Sequence, residues 1–248
     1  MINIPVLTKK EFTSFFYSPI AYVVLTVFLI IQGYTFWLVV GILNTPGAQT
    51  GGNVMEIFFG GTFFYWFSIL VIAPVITMKS FSEEKKSGTI EMLMTAPVTD
   101  WEVVLAKFLG TLGFFISLWL PTFLYVYELT QYNISVDLGP IISGYLGTFL
   151  IGSVLVSIGI FCSALTKNQI IAAIVSFTIL LAIFSIGFVN FFISQTTVKE
   201  LISYISFLTH FDDFARGIID TKHIIYYLSL TIFTLFITVK VVEARKWK

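Results

Sequence analysis

His210, Asp212, Asp213 and Arg216 stand within one short stretch, and no other group of side chains in the chain is better equipped for acid–base or metal chemistry. The pattern His-x-Asp-Asp is an uncommon ligand spacing, and the other histidine, His223, is remote in sequence. A polar helix face at a membrane surface explains the cluster better than a metal site does, so no metal and no cofactor are expected. The chain contains no HExxH, no Gly-x-Ser-x-Gly and no Walker A sequence. It is therefore expected to have no catalytic motif and no nucleotide site of its own. The single cysteine, Cys162, lies inside an apolar run, which excludes an internal disulfide and reads as a small buried side chain.

The elements that must hold these groups are membrane helices. Hydrophobic residues make up 57% of the 248 and charged residues 11%, which sets the chain apart from soluble domains. A span of about 20 apolar residues crosses the hydrocarbon core. Six such runs are read: Ile20–Leu43, Ile57–Met78, Phe108–Tyr127, Leu138–Leu165, Ile170–Ile193 and Ile224–Val242. The linkers are too short for a soluble domain, so residues 1–248 are expected to form one all-α membrane domain. The N-terminus MINIPVLTKKEF has no signal-peptide pattern. Ionisable residues are nearly absent from the runs. Lys107 and Glu128, near the two ends of the third, are expected to snorkel to water. Proton-coupled carriers and intramembrane proteases would need such groups near the midplane.

Charge sets the expected orientation. With both termini cytoplasmic, the inner side carries Lys9, Lys10, Lys79, Lys85, Lys86, Lys107, Lys167, Lys240, Arg245, Lys246 and Lys248. The outer side carries only Lys199, Arg216 and Lys222. Formal net charge is zero, which points to no nucleic-acid partner.

Three polar or amphipathic segments frame the runs. Residues 4–19 place Val6, Leu7, Phe12, Phe15 and Phe16 mostly on one side and Lys9 and Lys10 elsewhere, the pattern of an interfacial helix in the lipid headgroup region. The inner island runs from Ser80 to Glu102. Ser80 and Glu83 have capping-box spacing, Ile90, Leu93 and Met94 share a helical face, and Pro97 would end that helix. Thr99 and Glu102 form a second capping box that opens the third span, with Trp101 at the interface. A docking surface and a solvated loop explain this island equally well. The outer island, Thr196–Lys222, carries a capping-box spacing at Thr197 and Glu200. Its apolar stripe comprises Leu201, Ile202, Ile205, Leu208, Phe211 and the Phe214/Ala215 pair. One or two short outer-leaflet helices with a break at Gly217 are expected. Gly144, Thr148 and Gly152 permit close helix approach, within one chain or between two.

Lys79–Gly110, KSFSEEKKSGTIEMLMTAPVTDWEVVLAKFLG, resembles the intracellular segment of ABC-2-type transporter permeases. The matching positions are Glu83 or Glu84, Gly88–Thr89, Glu91–Leu93, Pro97 and Lys107–Gly110. The segment HFDDFARGIIDTKHIIYYLSLT is similar to the gliding-motility-associated and copper–nitrous-oxide-type permeases of that family. The resemblance covers the whole chain. It implies a permease subunit of the bacterial inner membrane that pairs with a second permease chain, as a homodimer or paralogous heterodimer, and docks a cytoplasmic ABC ATPase that binds the ATP and magnesium. The implied ATPase-coupling residues are Glu83, Glu84, Lys85, Gly88, Thr89, Ile90, Glu91, Leu93 and Met94. Three functions follow: export or flipping of a substrate, transmission of motion to a periplasmic partner, or an ATP-independent channel or carrier. The lack of midplane charge disfavours the third.

Overall fold

The computed structural model describes residues 4–43, 54–89, 98–131, 137–189 and 202–244. Among them all regular structure is helical, and six helices are long and apolar enough to cross a membrane. Helix α1 (Ile4–Phe16) precedes α2 (Pro19–Leu43). A short turn, Val54–Glu56, and a π-helical segment, Ile57–Gly61, lead through extended Thr62 into α3 (Phe63–Thr77) and α4 (Lys79–Ser87). Next come α5 (Asp100–Trp119), a 3-10 turn at Leu120–Thr122, α6 (Phe123–Gln131), α7 (Leu138–Leu165), α8 (Gln169–Val189), α9 (Phe207–Ala215) and α10 (Thr221–Glu243).

The first, fourth and sixth runs match α2, α7 and α10 closely, and the fifth matches α8 as far as Val189; its last expected residues lie outside the described ones. The second span differs. It leaves regular α-helix at Ile57–Gly61 and then continues well beyond Met78, so that Phe63–Ser87 counts as one membrane-length helix. The expected helix start at Ser80 is corrected, because Ser80 lies buried within α4 and the capping position is Met78, with no side-chain cap. The reason is a hydroxyl from another helix. Ser163 Oγ accepts the backbone N–H groups of Phe81 (3.0 Å) and Ser82 (3.1 Å) and donates to the Met78 carbonyl (3.0 Å). The freed backbone groups at this turn thus need no local cap. The third span starts eight residues earlier than Phe108, at Asp100. There the expected capping box is present: Thr99 Oγ1 accepts from Glu102 N–H, and Thr99 N–H reaches Glu102 Oε2 at 2.9 Å.

Helix α7 is the central post. Apolar solvent gives membrane helices no hydrophobic reason to associate, so close contact and hydrogen bonds must do it. A β-carbon at Gly144 would lie 2.4 Å from the Phe59 ring, and one at Gly152 would lie 2.2 Å from the Phe115 ring. Between them Thr148 Oγ1 meets the Tyr65 hydroxyl at 2.7 Å. The small-residue stripe therefore serves packing inside one chain. Ser153 with Thr231 (3.0 Å) and Thr122 with Tyr145 (2.7 Å) tie α7 to α10 and to the 3-10 turn, while Gln32 with Ser68 (2.7 Å) ties α2 to α3.

Candidate functional site

Lys107 sits on α5 with 3% of its side chain exposed. Its ammonium donates to Glu84 Oε1 at 2.7 Å and to Glu11 Oε1 at 3.1 Å, and it lies 5.1 Å from the centre of the Phe81 ring. Snorkelling to water, expected from its place near a span end, is thus corrected. Two features bury it: α5 begins a further two turns away, and α1 lies across it. Gly110 admits α1, for a β-carbon there would stand 2.7 Å from Glu11 Cβ and 3.1 Å from the Phe12 nitrogen. Phe15 then stacks on Phe114 with centroids 4.6 Å apart. A buried ammonium is tolerable only when paired, and here two carboxylates and an aromatic face do so. Alongside is a cavity of about 540 Å3 whose charged lining is Lys10, Glu11, Lys79, Glu83, Glu84 and Lys107.

The expected coupling residues divide at this point. Glu84 turns inward to Lys107. Lys85 is also buried, and its ammonium donates to the Ala164 carbonyl at the end of α7, where helix carbonyls lack intrahelical partners. Glu83, Lys86, Gly88 and Thr89 face outward. Gly88, at φ 74°, adopts the left-handed conformation that ends a helix, and the Thr89 hydroxyl returns to Ser87 at 2.9 Å. Ile90, Glu91, Leu93, Met94 and Pro97 lie outside the described residues. Sequence reasoning missed Glu11 and Ser163, whose partners are remote in the chain. The one available signal was Lys107 itself, a cation at the edge of an apolar run.

At the other end of the bundle α9 packs on α7 and α8 and meets the start of α10 through side chains. Its start is fixed by Ser206, whose hydroxyl accepts from Thr209 N–H. Thr197, Glu200 and Leu201 lie outside the described residues. The expected apolar stripe is redrawn by this cap: Phe207, Phe211, Phe214 and Ala215 are buried, whereas Ile205 is 56% exposed. Gly217 breaks the chain at φ 93°, as expected. His223, remote in sequence, is brought against His210, so the expected isolation of His210 is corrected. Their Nδ1 atoms lie 2.6 Å apart, His210 Nε2 donates to the Tyr204 carbonyl at 3.0 Å, and His223 Nε2 meets Asp213 Oδ2 at 2.7 Å. The His210 ring stacks on Tyr226, centroids 4.1 Å apart. Burial pushes the His210 imidazole below the ordinary histidine range. Asp212 and Arg216 instead form an exposed pair at 3.9 Å, of little energetic weight. The nearest nitrogens are bonded to one another and the carboxylate is on the far edge of His223, so these donors converge on no common point.

The chain is a multi-pass membrane protein by its six apolar helices. A family model described as "ABC-2 family transporter protein" matches residues 6–242. No curated protein matches the chain.

Proposed function

Because the chain belongs to the ABC-2 transporter family, we propose that it is the permease subunit of an ATP-driven exporter or flippase, with nucleotide chemistry confined to a separate cytoplasmic ATPase. The Lys79–Gly110 island docks that ATPase. Glu83, Lys86, Gly88 and Thr89 form the edge of the contact, and Ile90, Glu91, Leu93 and Met94 continue it. The observation that supports this most is the Lys107 junction. An element pushed from outside moves spans only if it is fixed to them, and Glu84 is bound to α5 and, through Lys107, to Glu11 of α1. Lys85 adds a tie to α7. Docking that differs between nucleotide states would then bias the arrangement of three spans.

In this reading both termini and the island are cytoplasmic, in a bacterial inner membrane. A second permease chain, identical or paralogous, covers part of the outward faces of α2 and α8, which expose Val27, Ile30, Trp37, Ile170, Ile171 and Ile174. Within the family, the resemblance of His210–Thr231 to the gliding-motility-associated and copper–nitrous-oxide-type permeases supports a reading of the chain as one of that subgroup. The test is co-purification with a co-expressed cognate ATPase. Ile90→Asp with Leu93→Asp should release the ATPase while the permease still inserts, and undiminished co-purification would refute the docking assignment.

A further inference from the structure

The hydrogen bonds around the histidine pair can be satisfied in only one protonation state. The Tyr204 carbonyl can only accept, so His210 Nε2 carries a proton. The Asp213 carboxylate likewise accepts, so His223 Nε2 carries one too. Each ring is then complete as a neutral imidazole, with a bare lone pair on Nδ1. Yet these two Nδ1 atoms face each other at 2.6 Å. Two lone pairs at that distance repel and two N–H groups collide. One proton between them makes a short charge-assisted hydrogen bond.

We propose that His210 and His223 form a binding site for a single shared proton, a lock that fastens α9 to α10 and opens when that proton is lost or a second one is gained. The charge belongs on the His223 side, where Asp213 faces it, and leaves His210, whose Nε2 meets only a neutral backbone carbonyl, the neutral partner. Tyr226 supports the same arrangement by stacking on His210 and donating its hydroxyl to the Ile205 carbonyl at 2.5 Å. The other ionisable groups around the pair among the described residues are Asp212 and Arg216 on α9, Asp220, Lys222 and Tyr227 at the start of α10, and Glu56 in the turn before the π-helical segment. Arg216 and Lys222 are each engaged by an aspartate of their own, at 3.9 and 3.2 Å. Asp213 is therefore the one carboxylate bonded to the pair.

The chain has two histidines, which makes the test direct. The full chain labelled with 15N-histidine, in lipid nanodiscs, yields four ring nitrogens by magic-angle-spinning NMR. Near neutral pH both Nε2 atoms should carry protons, and one strongly deshielded proton should correlate with both Nδ1 atoms. Two neutral rings without a shared proton, or two imidazoliums, would overturn the assignment. The second readout is amide exchange in Thr209–Phe214, corrected for intrinsic rates. Protection should peak near neutrality and fall about tenfold on either side, the equilibrium change for one lost hydrogen bond to a charged group. Flat protection from acid to alkaline pH would also overturn it. His223→Asn keeps a polar atom near the Nδ1 position without the charge and should abolish the peak. If that variant fails to fold, the wild-type nitrogen spectrum decides alone.

Discussion

Lys107 Nζ and Glu84 Oε1 lie 2.7 Å apart although 23 residues separate them in the chain. The contact joins the extension of the second span to the third, and the same ammonium reaches Glu11 on α1. Three elements that enter or leave one end of the bundle therefore share a single cation.

Lys107→Met should lower thermal stability by roughly 1–3 kcal/mol. This is less than breaking a fully buried pair costs, because both carboxylates keep about a quarter of their surface exposed. Adding Glu84→Gln to Lys107→Met should recover part of the loss. An unaltered melting temperature in detergent for Lys107→Met would show that the junction contributes nothing to folding.

Gly144→Ala and Gly152→Ala should each destabilise the bundle, by about 1–3 kcal/mol as overpacking does. Gly41→Ala is the control, since a β-carbon there meets nothing within 4 Å. Equal stability of all three variants would mean that the rings of Phe59 and Phe115 yield without cost.

Cysteine labelling tests sidedness. With Cys162→Ser as background, Thr89→Cys should react with an impermeant thiol reagent from one face of the membrane only, and Tyr204→Cys and Asp212→Cys from the other. Phe211→Cys should stay protected, being fully buried. Reaction of Thr89→Cys and Asp212→Cys from the same face would disprove the six-span arrangement.

Acid should weaken the α9 end. The folded state holds His210 below the ordinary histidine value, so it favours the neutral ring. The associated stability is complete above the unfolded value of about 6.5 and declines as pH falls through the folded value. Melting temperature should thus drop between neutral pH and about pH 5, and His210→Gln should flatten that slope. A wild-type melting temperature constant over this range would contradict the burial effect.

Hydropathy and length located the six spans because each needs only its own residues. Thr99 and Glu102 announced the start of α5 for the same reason, being three residues apart and closing a local loop of hydrogen bonds. Ser80 and Glu83 have that spacing too, yet the helix runs through them. Ser163, some 80 residues away, satisfies the backbone instead, and no local pattern contains it. The histidines show the same limit: 13 residues separate them, and only the turn at Gly217 brings α10 back over α9. Lys107 was legible as an anomaly in an apolar run, whereas its two glutamates were not legible as its partners.

The segment from Phe63 to Ser87 is 25 residues long, about 37 Å at 1.5 Å per residue, and the turn at Met78 within it is held by Ser163. Extended Thr62 stands at its root at one end, and left-handed Gly88 marks its tip at the other. A tilt of about 8° about Thr62 carries the tip sideways by about 5 Å, one helical pitch. Leverage runs in reverse as well: a displacement of that size at Gly88 arrives near the root as a rotation with almost no translation. Tyr65, three residues from the root and hydrogen-bonded to Thr148, would turn nearly in place.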